Sequence, residues 1–301
     1  SMNDLATVVE TPSGKDAAYE NFPVGSWLLP AHLRPHIAAY YRFARAIDDI
    51  ADNPDLPADE KIARLDGFQA AILGKDAATE GFETGHAMRS SLLATDVSAQ
   101  HCLDLIDAFK QDAVKNRYDD WDELIGYCIR SAAPVGRYLL DLHGGSEDGY
   151  GPSDALCNAL QVINHLQDCQ DDFQTMDRVY LPEKWMREAG MEVSALAAGT
   201  ASAAVRQVID RTLDATEGLM DEAWRLPGGL KSRRLAMEST VILRIAERLI
   251  ELLRAGDPLS GRIELQKHGY LWQCLCGALP VALGVRPPGR PGGRKNVGGR
   301  A

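Results

Sequence analysis

The sequence has few of the features that would place a protein in a membrane or on a nucleic acid. No run of 18 apolar residues occurs in the chain, so no membrane-spanning helix is expected. The chain has an excess of acidic residues, with 43 Asp and Glu against 32 Lys and Arg, and its net charge is −11. Because a nucleic-acid-binding protein needs a basic face, no nucleic-acid partner is expected.

Signatures of several cofactor and metal sites are also missing. Neither a G-x-G-x-x-G fingerprint nor a Walker phosphate loop is present, so no nicotinamide-binding Rossmann unit is predicted. The six cysteines form no C-x-x-C pair and the seven histidines are scattered, which argues against a transition-metal site. The start of the chain is polar and acidic, so no signal peptide is expected there. We therefore expect a cytoplasmic protein with reduced, buried thiols.

What the sequence does contain is helical periodicity along most of its length. Apolar residues recur at three-and-four spacing and strand-like alternation is nearly absent, which predicts an all-α fold. The predicted helices cover 33–52, 59–73, 98–115, 122–142 with a kink at Pro134, 154–173, 200–225, 230–255 and 262–283. We expect one domain over 17–284, a mobile segment over 1–16 and a disordered basic tail over 285–301.

Two groups of acidic residues more than a hundred positions apart carry the functional signal. In the first, Asp48 and Asp52 are four residues apart and share one helix face. In the second, Asn164, Asp168 and Asp172 form a similar stripe. Buried carboxylates repel one another, and two such stripes on facing helices are tolerable when a cation lies between them.

The oxygen donors in these groups favour Mg²⁺, which often completes its coordination shell with substrate phosphates. A diphosphate substrate is therefore the expectation. Arg45 lies one turn before the first group, where its guanidinium could contact phosphate oxygens. Tyr41 lies one further turn back on the same stripe. A helix ion pair for Arg45 and a core position for Tyr41 are the structural alternatives.

With these motifs in view, the chain resembles a known family. Residues 41–52 and 161–182 are similar to the two aspartate-rich motifs of the squalene/phytoene synthase family, and the resemblance spans roughly 19–283. Within that family, several shorter segments look like the HpnC-type hydroxysqualene synthases of hopanoid pathways: 20–24, 28–30, 33–36, 127–128, 134–137 and 256–259.

The resemblance implies an all-helical isoprenoid-synthase bundle with a central cavity and two or three Mg²⁺ ions. It implies conversion of presqualene diphosphate and water to hydroxysqualene, with no NADPH. The metal ligands it implies are Asp48, Asp52, Asn164, Asp168 and Asp172. The reaction would depend on Asp48, Asp52, Asp168 and Tyr127, and substrate contacts would come from Phe22, Tyr41, Arg45, Gln161 and Arg178.

Two positions depart from the pattern that many members of the family share. Gln167 stands where many have arginine, and Leu249 stands where many have tyrosine in the last long helix. Both differences could weaken a second diphosphate site, which would fit a substrate that carries one diphosphate.

Alternatives remain open at the level of sequence. One is head-to-head condensation of farnesyl diphosphate to presqualene diphosphate or squalene, or a phytoene synthase-like reaction. A terpene cyclase is also all-α and Mg²⁺-dependent, although Arg45 precedes the aspartates here. A non-catalytic scaffold derived from the family is a third. Lipophilic substrates and the basic tail are compatible with peripheral contact at the inner face of the membrane, as an ordinary disordered tail would also be.

Overall fold

The computed structural model describes residues 29–75, 80–266, 281, 283 and 289–291, and this part of the chain contains helices and no strand. The helices of the first half are α1 (Arg34–Ala51), α2 (Ala58–Leu73), α3 (Glu83–Thr95), α4 (Gln100–Val114), α5 (Trp121–Ser131) and α6 (Ala133–Leu142). Those of the second half are α7 (Tyr150–Gln167), α8 (Cys169–Met176), α9 (Glu183–Glu188), α10 (Ala203–Ala223), α11 (Leu226–Gly229) and α12 (Arg233–Ala255). Short 3₁₀ turns cover Glu147–Gly149 and Val193–Ala197.

Helix α1 carries the first acidic group at its C-terminal end. Pro35 lies in its first turn, where the missing N–H needs no partner. One face is fully buried, including Phe43 and Ile47. The ring of Tyr40 stacks on Tyr138 of α6 with centroids 4.0 Å apart. This packing fixes the helix, and with it the acidic residues that follow.

Helix α7 lies at the centre of the bundle and packs mainly against α10 and α6. The sequence predicted one helix over 154–173, but the structure has a break at Asp168, which ends α7 and precedes α8. The hydrogen bonds continue through the break. Asp168 N–H donates to Asn164 O at 3.0 Å, and Asp172 N–H donates to Asp168 O at 2.8 Å. The backbone spacing of the predicted stripe is therefore kept.

The segment predicted as a kinked helix over 122–142 is two helices. They meet at Ala132, whose φ of −127° and ψ of −47° interrupt the helical geometry. Pro134 lies in the first turn of α6, so it starts a helix rather than kinking one. Gly136 then allows α6 to lie close to α7, since a Cβ there would be 2.2 Å from Ser153 Oγ.

Some expectations concern segments near the ends of the chain. The mobile segment 1–16 and most of the helix predicted over 262–283 lie outside the described residues, and 262–266 are not helical. In the predicted tail, only 289–291 are described; there Arg290 pairs with Asp221 at 2.7 Å and Glu247 at 2.9 Å. In the described part of the chain, no helix combines the length and apolarity needed to cross a bilayer.

Candidate active site

The first acidic group concentrates negative charge at the end of α1. Asp49 is buried and Asp48 is half-buried. Burial raises the pKa of Asp48 well above its usual range, and repulsion from Asp52, Asp49 and Asp112 raises it further. This end of the helix therefore favours a proton, a cationic side chain or a metal ion close to Asp48.

Two cationic side chains oppose part of this charge. Arg178 is buried, and its guanidinium donates to Asp52 Oδ1 at 2.6 Å and to the carbonyl of Ala51. Lys61 on α2 donates to the same carbonyl at 2.8 Å, which caps the end of α1. Burial, and then the charge of Arg178, lowers the pKa of Lys61 to about 8. Cationic groups near a helix C-terminus also complement the helix dipole.

Asp112 on α4 is a buried carboxyl that the sequence reading missed. It accepts hydrogen bonds from the hydroxyls of Tyr127 and Tyr180, the latter at 2.9 Å. Burial raises its pKa to about 6, although Arg178 and the two tyrosine hydrogen bonds oppose the rise. A signal was available, since Asp112 continues the apolar stripe of Leu105 and Phe109 at helical spacing.

Aromatic rings surround Asp112. His165 on α7 stacks on Tyr180 with centroids 3.7 Å apart. The ring centroid of Tyr127 lies 6.1 Å from that of His165 and 5.6 Å from that of Tyr180, within the usual range of aromatic pairs. Burial lowers the pKa of His165 to about 3, so the imidazole is neutral at physiological pH. Its Nε2 lies 3.2 Å from Gln161 Nε2, which links this group to the second acidic motif.

The second motif follows the course of α7 into α8. Asn164 is buried, and Asp168 accepts from Arg262 at 3.2 Å. Gln167, which departs from the family pattern, donates to the carbonyl of Ile263 at 2.9 Å. Its amide therefore holds the chain that follows α12 against the motif.

One cavity brings the two motifs together. It has a volume of ≈ 70 Å³, and its polar lining includes Tyr41 and Asp48 from α1 with Gln161 and Asn164 from α7. Its remaining lining is mostly apolar: Phe109, Ala132, Val135, Cys157 and Leu160, with Ser131. A polar end next to an apolar wall suits a ligand with an anionic head and a hydrocarbon chain.

Two further cavities continue along α7 towards its N-terminus. The second cavity, of ≈ 30 Å³, shares Cys157 with the first. The third, of ≈ 500 Å³, shares three residues with the second, namely Leu140, Leu226 and Leu235. The shared residues make the three cavities a series that runs from the acidic motifs to the opposite end of the bundle.

The other predicted site residues fall in different surroundings. Arg45 is exposed on α1, and Asp172 is half-buried on α8. Tyr127 does not line the cavity, and its ring is buried among those around Asp112. Phe22 lies outside the described residues.

The oxygen donors of the two motifs determine whether the expected Mg²⁺ fits here. In the described ranges, no three or more His, Cys, Asp or Glu side chains are arranged to hold one ion. Mg²⁺ is commonly held by one or two carboxylates together with waters and substrate phosphates, so it does not need three. The donors near the cavity, Asp48 and Asn164, offer oxygen atoms. The residues present therefore fit a Mg²⁺ ion shared with a diphosphate.

Comparison with known proteins supports the resemblance seen in the motifs. The squalene/phytoene synthase family model matches residues 16–268. A hydroxysqualene synthase of Rhodopseudomonas palustris is 40% identical over 262 residues, which cover 87% of this chain and 89% of the relative. A hydroxysqualene synthase of Sinorhizobium fredii is 41% identical over 246 residues, covering 82% and 83%.

A solved structure supports the fold. The crystal structure of squalene synthase HpnC from Alicyclobacillus acidocaldarius is similar with a TM-score of 0.68 at 30% identity, over 84% of this chain and 93% of that one. The predicted all-α isoprenoid-synthase fold is confirmed. The chain therefore belongs to the squalene/phytoene synthase family and is an isoprenoid synthase.

Proposed function

We propose that this enzyme converts presqualene diphosphate and water to hydroxysqualene and diphosphate, in squalene and hopanoid biosynthesis. Two relatives that bear the name hydroxysqualene synthase match more than four fifths of the chain at about 40% identity, which favours this member of the family's reactions. The family processes prenyl diphosphates, so the substrate class follows from membership.

The observation that carries the proposal is the cavity shared by the two acidic motifs. Asp48 and Asn164 stand at its polar end, and Val135 and Leu160 belong to its apolar wall. A diphosphate at the polar end would leave the hydrocarbon chains facing the apolar wall and the series of cavities beyond it. Separation of the two ends orients the breaking C–O bond towards the acidic motifs.

We propose that Asp48, Asp52, Asn164 and Asp168 hold two or three Mg²⁺ ions, with Asp172 next to them. Bound Mg²⁺ supplies charge neutralisation to the leaving diphosphate. Arg178 and Arg262 pair with Asp52 and Asp168. Arg45 adds a cationic group on the helix that carries Asp48, and it is a candidate diphosphate contact.

The protein's own side chains also shape the apolar part of the reaction. The ring of Tyr41 lines the cavity beside Asp48, where its face can stabilise a carbocation. Burial raises the pKa of Tyr41 well above its usual range, so its hydroxyl stays neutral. Gln161 lines the same cavity and is a candidate substrate contact. Tyr127, whose hydroxyl donates to Asp112, is a further candidate for the reaction.

A second candidate is the condensing reaction that begins from farnesyl diphosphate. The observation in its favour is the similarity to the crystal structure of a squalene synthase, HpnC of Alicyclobacillus acidocaldarius. The acidic motifs serve both reactions, because each ionises a prenyl diphosphate.

A product assay separates these candidates. Purified protein with Mg²⁺ and no NADPH receives presqualene diphosphate in one reaction and farnesyl diphosphate in another, and extracts are analysed by GC–MS. Hydroxysqualene from presqualene diphosphate alone is the expected result. Presqualene diphosphate or a C30 hydrocarbon from farnesyl diphosphate would assign the condensing reaction instead. Folded protein that converts neither substrate would contradict both assignments and favour a scaffold role.

A further inference from the structure

A buried carboxyl group lies on the wall of the second cavity, away from both acidic motifs. Glu238 on α12 is 3% exposed and lines this cavity. It sits on the same helix stripe as Leu235 and Ile242, which line the cavity as well. A buried ionisable side chain on an otherwise apolar stripe, at the wall of a cavity, is a candidate functional group.

Glu238 lies close to the cavity that joins the motifs. Cys157 lines both that cavity and the second one. Burial, and then the charges of Cys157 and Glu238, raise the pKa of Tyr41. Glu238 and Cys157 line the second cavity together, and Cys157 and Tyr41 line the first, so Glu238 stands near the wall that Tyr41 and Cys157 form.

The second cavity has the size and the polar groups needed to hold water. Its volume of ≈ 30 Å³ suits two or three water molecules, since one molecule needs about 10–15 Å³ of such space. A buried water also needs two to four polar partners. Glu238, Ser153 and Ser239 supply them, and the hydroxyl of Ser239 can accept a bond while donating to Leu235 O at 2.7 Å.

We propose that Glu238 holds the reacting water and accepts its proton. This inference rests on the proposed function. The C–O bond to the diphosphate breaks with both electrons leaving on the diphosphate, which produces a carbocation. A lone pair of the water oxygen forms the new C–O bond. One proton of that water passes to the Glu238 carboxylate, which later returns it to the diphosphate or to solvent, and neutral hydroxysqualene remains.

The test compares Glu238→Gln and Glu238→Asp with wild type and with Glu251→Gln. Glu251 is exposed on the same helix and pairs with Arg248, so its substitution controls for general effects on α12. Each protein receives presqualene diphosphate and Mg²⁺ in water enriched in ¹⁸O. Diphosphate release is measured separately from the fraction of product that carries the labelled hydroxyl, and circular dichroism checks the fold.

We expect Glu238→Gln to release diphosphate within about threefold of wild type, because ionisation takes place at the acidic motifs. The fraction of hydroxysqualene should fall by about 100-fold or more in favour of hydrocarbon elimination products, since general-base catalysis typically contributes about 10²–10⁴-fold. Glu238→Asp should recover part of the labelled alcohol, and Glu251→Gln should match wild type.

Other outcomes have distinct meanings. An unchanged labelled fraction in Glu238→Gln would overturn the role of Glu238 while leaving the proposed function intact. So would a loss of diphosphate release in proportion to product. Wild type that forms no hydroxysqualene from presqualene diphosphate would overturn the proposed function itself, and the proposal for Glu238 with it.

Discussion

Arg178 and Asp52, 126 positions apart in the chain, form an ion pair of 2.6 Å that joins the loop after α8 to the end of α1. The guanidinium also donates to the carbonyl of Ala51. Because Arg178 follows the second acidic motif closely, this pair ties the two motifs to each other. The guanidinium bonds Asp52 and the Ala51 carbonyl and leaves the carboxyl of Asp48 to the cavity that it lines.

Loss of this tie should destabilise the protein. In Arg178→Ala, Asp52 loses its ion-pair partner and Asp112 loses a positive charge that lowers its pKa. We expect the free energy of unfolding to fall by about 3 kcal/mol, as for a broken buried pair. Urea denaturation followed by circular dichroism measures the change. Arg117→Ala removes a more exposed pair with Asp177 at 2.8 Å and should cost less than about 1 kcal/mol. Equal effects in the two variants would contradict the role of burial.

Asp48 should affect activity and stability in opposite directions. Asp48→Asn removes a carboxyl that is repelled by Asp52, Asp49 and Asp112, so the metal-free protein should keep or gain stability. Turnover should fall by about 10²-fold or more, because the Mg²⁺ that would neutralise the leaving diphosphate loses a ligand. Diphosphate release in the presence of Mg²⁺ measures turnover, and thermal unfolding in EDTA measures stability. Asp55→Asn, at an exposed site beyond the helix, is the control; near-wild-type turnover in Asp48→Asn would remove Asp48 from the metal site.

The pKa of Asp112 predicts a pH dependence of stability. The folded protein holds the Asp112 proton up to about pH 6, whereas the unfolded chain releases it near 3.8. Between these values the folded state binds more protons, so this group's contribution to stability falls as pH rises. A pKa difference of about 2 corresponds to about 3 kcal/mol. Asp112→Asn should remove this slope in urea titrations at pH 4 to 7 in EDTA, and an unchanged slope would refute the assignment.

His165 should make a contribution to folding stability that rises with pH, opposite in sign to that of Asp112. Its pKa is lowered from 6.5 to about 3 by burial, so the unfolded chain binds the extra proton between these values. This contribution is fully present above pH 6.5 and is lost as pH falls towards 3. His165→Gln should lose some stability at pH 7 with its stacking on Tyr180, and its stability should fall less steeply towards acid than that of wild type. The same urea titrations check this, and a steeper acid loss would contradict it.

Two glycines should respond oppositely to alanine. A Cβ at Gly136 would lie 2.2 Å from Ser153 Oγ and 2.8 Å from Cys157 Sγ, so Gly136→Ala must push α6 from α7 or move these side chains. We expect a loss of about 1–3 kcal/mol. At Gly126, on an exposed face of α5, nothing lies within 4 Å of a new Cβ. Gly126→Ala should stabilise by about 0.5–1 kcal/mol. Thermal unfolding of the two variants decides whether close packing explains Gly136.

Much of the helical framework was predictable, because local spacing determines it. The expected helix 33–52 is observed as Arg34–Ala51, and that over 230–255 as Arg233–Ala255. The helix breaks at Ala132 and Asp168 were harder to predict from sequence, because each depends on how the chain packs against neighbouring helices. Helices α3, α9 and α11 were missed, because α3 shows weak amphipathicity and α9 and α11 have six and four residues.

The sequence by itself determined the residue types of the site and the family. Oxygen donors repeated at helical spacing identify the two motifs without any knowledge of the tertiary packing around them. Only the tertiary structure decided which groups share an environment. Asp48 and Asn164 meet at one cavity, Asp112 is buried under two tyrosines, and Glu238 faces a water-sized space. Burial and proximity set the charge state and the contacts of each group, and both arise from packing between helices distant in the chain.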